Sequence, residues 1–174
     1  MNLNVKRYKY IFAYIHIMQS TRFKCVNDTS DVITPWNTSR WLVCSSFLFV
    51  IPSIHAFYLR MYFFSILLLI TSGISANHWR NALFNSWRRT IDLYVAKISF
   101  VVFLIDGIMY IQYTPYLYIA YINLAAITYC YYHSNTLYLA KSPSWYKYHI
   151  MFHMCVAYEQ MVVIDNHRIR SIHM

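Results

Sequence analysis

The sequence predicts an all-α fold, a polytopic membrane helix bundle with about five transmembrane helices. Three observations carry that expectation. The chain of 174 residues is 59% hydrophobic and only 12% charged, against about 25% charged residues in an ordinary soluble domain. Its apolar residues come in long blocks. Tyrosine and tryptophan crowd the ends of those blocks, where amphipathic rings sit at headgroup level. The net charge of +9 does not point to nucleic acid, because the basic residues flank apolar blocks instead of forming a patch or a reading motif. Membrane lipids are the expected partners. Cys25, Cys44, Cys130 and Cys155 show no C-x-x-C spacing, and three of them fall in apolar runs, where a free cysteine behaves as a small hydrophobe.

Residues 1–40 read as a basic N-terminal segment. Lys6, Arg7 and Lys9 precede a short apolar run at 10–18, well below the roughly 20 residues a spanning helix needs. Its aromatic core, interrupted by His16 and followed by no small-residue cleavage site, reads as an interfacial amphipathic segment rather than a signal peptide. Asn27-Asp28-Thr29 and Asn37-Thr38-Ser39 have the form of glycosylation sequons, which are common by chance.

The bundle is expected over residues 41–165. The first span covers 41–58, with Pro52 predicting a kink and His55 near its far end. The second covers 61–76, the third 93–111 with Lys97 and Asp106 inside it, the tyrosine-rich fourth 115–133, and the fifth 148–164. A short tail follows at 166–174. Between the second and third spans, Trp79, Leu83 and Trp87 recur at helical spacing. They predict a short interfacial helix that brings Arg80, Arg88 and Arg89 to lipid phosphates.

Lysine and arginine orient this bundle. With the N-terminus cytoplasmic, the inner segments hold Lys6, Arg7, Lys9, Arg22, Lys24, Arg40, Arg80, Arg88, Arg89, Lys141 and Lys147, and the outer ones hold Arg60, Arg168 and Arg170. The bias favours an integral membrane protein with its N-terminus in the cytoplasm and its C-terminus outside.

That topology gathers a set of candidate site residues at the inner end. His78 ends the second span, Asp92 begins the third, and His149 and His153 begin the fifth. His149 and His153 are i, i+4 on one helix face, a spacing that lets two imidazoles share one metal. His78 is the candidate third metal ligand, which would leave a position for water, the catalytic zinc (Zn2+) pattern. Asp92 is the candidate general base, and Ser75, one turn before His78, the candidate group to orient water or stabilise an oxyanion. Each residue also has a plain reading. An interfacial histidine, a carboxylate at a helix N-terminus and a serine bonded to its own backbone are all ordinary. Of the other ionisable groups, Asp106 lies about 21 Å along a helix from Asp92 and is expected to pair near the outer surface. Glu159 reads as a supporting or substrate-channel group, and Lys97 as a side chain that reaches for the boundary.

The order serine, histidine, aspartate, then H-x-x-x-H on the last helix resembles the superfamily of alkaline ceramidases and adiponectin-receptor-like proteins. The resemblance implies a zinc-dependent membrane hydrolase, with zinc on His78, His149 and His153 and with Ser75 and Asp92 completing an amide-hydrolase site. It covers about residues 60–165 and departs from the family in two respects. The family has S-x-x-x-H where this chain has Ser75 three residues before His78, and it has seven helices where this chain has five expected spans. The wording around Asn77-His78-Trp79-Arg80-Asn81 and Trp87-Arg88-Arg89, in a tyrosine- and isoleucine-rich chain, also looks like multi-pass proteins of large DNA viruses. Two functions follow as expectations. One is an intramembrane hydrolase of lipid amides or esters; the other is a non-catalytic scaffold of a host endomembrane or virion membrane.

Overall fold

The computed structural model describes residues 32–111 and 114–173. The expected interfacial segment at 10–18 and the sequon at Asn27 lie outside those residues. Among the described residues the fold is all-helical, with a single isolated bridge between Val32 and Leu83. Five rods follow one another: α1 (Trp36–Tyr58), α2 (Tyr62–Arg80), α3 (Trp87–Tyr110), α4 (Thr114–Leu139) and α5 (Trp145–His173). Each contains one of the apolar runs. The last one continues past its run to His173.

Within α1 the residues Phe47–Phe49 tighten into a 3-10 turn. Pro52 explains it: the ring has no N–H for the Leu48 carbonyl and crowds that turn. The helix ends are closed locally. Arg60 and Lys141 take the left-handed conformation, with φ of 60° and 53°. At the end of α1, Met61 donates to the Ala56 carbonyl and Arg60 to that of Phe57; at the end of α4, Ser142 and Lys141 do the same to Leu137 and Tyr138. These are two Schellman closures built without glycine, in a chain that has only two. Ser86 caps α3 by accepting from the backbone N–H of Arg89.

The short interfacial helix expected over Trp79, Leu83 and Trp87 is not formed. Trp79 is the buried end of α2, Leu83 sits in a connecting loop, and Trp87 opens α3. The helical spacing fails because the Leu83 region pairs with Val32, and Ile33 donates to the Ala82 carbonyl at 2.7 Å. Backbone pairing across the chain outweighs a three-residue pattern.

α1 lies between α2 and α5, α4 packs along α5, and α3 leans on α2 and reaches α5. Burial takes in polar side chains as well as apolar ones. Hydroxyl and amide groups are inside: Ser45, Ser46, Ser53, Ser65, Ser72, Ser99, Asn123 and Gln160 are all buried. Serines join α1 to α2, with Ser72 donating to the Ser46 carbonyl at 2.9 Å and Ser53 to the Ser65 carbonyl at 2.8 Å. Small hydroxyl residues let two backbones approach closely and bond across the seam. Many large apolar side chains are exposed. On α3 the exposed stripe reads Ile91, Tyr94, Ile98, Val101, Ile105 and Ile108, at helical spacing. Ile127 and Cys130 of α4 and Ala157 of α5 are buried, and further buried apolar residues form two clusters. One, around Ala56, Leu68, Phe103 and Val163, lies toward the C-terminal end of α5. The other, Leu42, Trp79 and Ala82 with Trp145 and Ile150, lies at the opposite end. Among the described residues one helix, α1, is long and apolar enough to cross a membrane, with a mean hydropathy of 1.6.

Candidate functional site

The site lies at the end of the bundle marked by Trp79. His78 and Ser75 come from the last turns of α2, Asp92 from the second turn of α3, and His149 and His153 from the start of α5. All five candidate residues meet here. The imidazoles of His149 and His153 have centroids 4.8 Å apart. The Trp79 ring stands 4.6 Å from His78 and 5.1 Å from His149. Asp92 is hydrogen-bonded to the Ser75 side chain.

Four serines outside the expected set complete the site or hold the rods around it. The hydroxyls of Ser46 and Ser75 are 3.0 Å apart, so a chain runs from Ser46 through Ser75 to Asp92. Ser46 Oγ is also 2.9 Å from the Leu42 carbonyl. The chain therefore suits both states of Asp92. With the carboxylate ionised, Ser75 donates to Asp92 and Ser46 shares its proton between Ser75 and the Leu42 carbonyl. With the carboxyl protonated, Asp92 donates to Ser75 and Ser75 to Ser46, whose proton then goes to Leu42 alone. Ser45 Oγ is 2.9 Å from His153 Nδ1, and Ser134 Oγ is 3.4 Å from His149 Nδ1. Ser72 fastens α1 to α2 just beneath. No sequence pattern marks these serines, since a serine on an apolar helix is common and its partner lies on another helix.

Two of the ionisable groups lie beyond the apolar runs at 61–76 and 93–111, and burial sets their state. His78 is 3% exposed, and burial, with the nearby Arg89 charge, lowers its pKa to about 4. It is a neutral imidazole near pH 7. Its Nδ1 is buried without a hydrogen-bond partner, a costly state for a polar atom. Burial raises the Asp92 pKa to about 7, opposed by the Ser75 hydrogen bond and by Arg89. A carboxyl poised there can give or take a proton near neutrality.

The other ionisable groups stand apart. Asp106 pairs with His167, and His55 Nε2 lies 2.7 Å from Asp165 Oδ1, both pairs toward the C-terminal end of α5. Glu159 accepts from Asn123 Nδ2 at 2.8 Å, between α4 and α5. Lys97 is exposed.

Comparison with protein-family models, curated proteins and solved structures finds no match to this chain. Function therefore rests on the site. Among the described residues, no group of three or more histidine, cysteine, aspartate or glutamate side chains is placed to hold a metal ion. The three imidazoles are neighbours without forming a ready coordination shell. The donor set nevertheless has the chemistry zinc prefers, with neutral nitrogens and, on His149 and His153, a hydroxyl against the other ring nitrogen.

Proposed function

We propose that the chain is a multi-pass membrane protein and a zinc-dependent hydrolase of lipid amides or esters, resembling the alkaline ceramidase superfamily. One observation carries the reading: Ser75, His78, Asp92, His149 and His153, chosen from spacing and charge alone, meet at one end of the bundle, with His78 Nδ1 buried and unpartnered. The membrane part is supported by the outward apolar stripe of α3 and the serine-lined interior. A surface of that kind is costly in water and ordinary in lipid.

His78, His149 and His153 would hold the metal. Zinc supplies Lewis acidity toward a carbonyl and toward water. The chain's own residues do the rest. Asp92 takes a proton from the attacking water and returns it to the leaving amine or alcohol. Ser75 keeps the carboxylate aimed and stabilises it by donating to it. Arg89 favours the ionised form. Trp79 and Trp145 wall the site against bulk water.

The test is metal content. Protein purified in detergent without chelator should carry about one zinc per chain and hydrolyse a long-chain lipid amide or ester; metal-free protein from a careful preparation overturns the reading. The absence of a ready coordination shell favours the second reading, a non-catalytic scaffold whose buried histidines join helices. That reading predicts no zinc and no turnover.

Two further outcomes follow. Reporters fused after Trp87 and after Lys141 should be cytoplasmic and one at the C-terminus exoplasmic, as the basic-residue bias requires. Glycosylation of Asn37 in a competent membrane would reverse the arrangement. In metal-free protein the Asp92 carboxyl should titrate near pH 7, read from its 13C resonance. The sign for Arg89→Gln is fixed by charge: removing the cation disfavours the carboxylate, so that midpoint moves to higher pH. A midpoint that stays put would show that another group sets it.

A further inference from the structure

The hydrogen bonds around Ser45 determine which ring nitrogen of His153 is free. A serine hydroxyl has one proton. Ser45 Oγ donates to the Leu42 carbonyl at 3.0 Å, one turn back on α1. The same oxygen lies 2.9 Å from His153 Nδ1. With its proton on Leu42, Ser45 can only accept from the imidazole. A neutral His153 then carries its proton on Nδ1 and a lone pair on Nε2. The opposite assignment would set the Ser45 and Leu42 oxygens against each other with no proton between them. Both residues are enclosed, Ser45 at 5% and His153 at 4% exposure, so water cannot make up the difference. Phe49 packs on the imidazole at 5.3 Å between centroids and limits its rotation.

We infer that Ser45 is a positioning residue of the site, whose hydroxyl, committed to the Leu42 carbonyl, locks His153 as the Nδ1-protonated tautomer and leaves Nε2 as its ligand atom. The inference deepens the zinc-hydrolase reading and rests on it for the ligand role, although the tautomer itself does not depend on metal. It assigns a task to α1, a helix that contributes none of the five residues. Outer partners of this type typically change metal affinity about 10–100-fold when removed.

The experiment uses the full chain in lipid nanodiscs, labelled with 15N-histidine, stripped of metal and compared with His153→Gln to assign the resonance. The wild type should show a protonated Nδ1 and a lone-pair-bearing Nε2 on His153. Ser45→Ala should abolish that preference, and Ser45→Thr, which keeps the hydroxyl, should restore it. A wild-type His153 protonated on Nε2 overturns the inference, as does a Ser45→Ala protein with an unchanged spectrum. Zinc titration of the same samples reads the ligand role: Ser45→Ala should bind about 10–100-fold more weakly and Ser45→Thr normally. Equal zinc affinity in Ser45→Ala and the wild type overturns that role. If the wild type takes up no zinc, the hydrolase reading and the ligand role fall, while the spectrum still decides the tautomer.

Discussion

Asp92→Asn should leave zinc content unchanged and reduce lipid-amide hydrolysis by about 10²–10⁴-fold, the usual contribution of a general base. The substitution is nearly isosteric, and the asparagine oxygen can still accept from Ser75. The Ser46–Ser75 chain therefore survives in one of its two directions. The change removes the ability to take a proton. Burial already holds the Asp92 carboxyl near its neutral form, so an amide is no harder to enclose, and folding should be unaffected or slightly favoured. Zinc and turnover, measured on one preparation, separate the outcomes. Lost activity with retained metal places the base at Asp92. Full activity in Asp92→Asn sends the search for the base elsewhere.

His153→Ala should remove the metal altogether, from about one zinc per chain to a trace, because two protein ligands seldom hold zinc against water and chelators. The effect on folding should be smaller than the burial of His153 suggests. Ser45 keeps its bond to Leu42 when the imidazole is gone, so no buried donor is stranded, and the main loss is ring packing against Phe49 and Phe152. His149→Ala should behave alike. His133→Ala is the control, since His133 stacks on Tyr148 at 5.4 Å, outside the triad. Zinc that survives the double substitution of His149 and His153 would place the ligands elsewhere.

The five rods were legible because long apolar runs without glycine or proline clusters favour helix, and interruptions such as Arg60 and Lys141 punctuate them. That Ser75, His78, Asp92, His149 and His153 share one end of the bundle was legible because polar groups beside such runs are scarce and counting the rods returns them to the same end. The rest lay in pairings between distant positions. Ser45 meets His153, and His55 meets Asp165, across separations of 108 and 110 residues, and nothing local to either partner announces the other. The connection from Trp79 to Trp87 misled for a related reason. Its aromatic spacing matched a helix, while the hydrogen bond from Ile33 to Ala82 held it as a loop.

The two histidine–aspartate pairs at the far end of α5 act on the site through geometry alone. A helix that advances by one residue turns by about 100°. If α5 slipped along its neighbours by a single position, His149 and His153 would swing off the face they share with His78. Asp165 and His167 prevent that slip by engaging His55 on α1 and Asp106 on α3, two different neighbours. Asp165 lies twelve residues beyond His153, about 18 Å along the axis. The pairs work like index marks on a shaft, fixing its angle at one end so that the fittings at the other stay aligned.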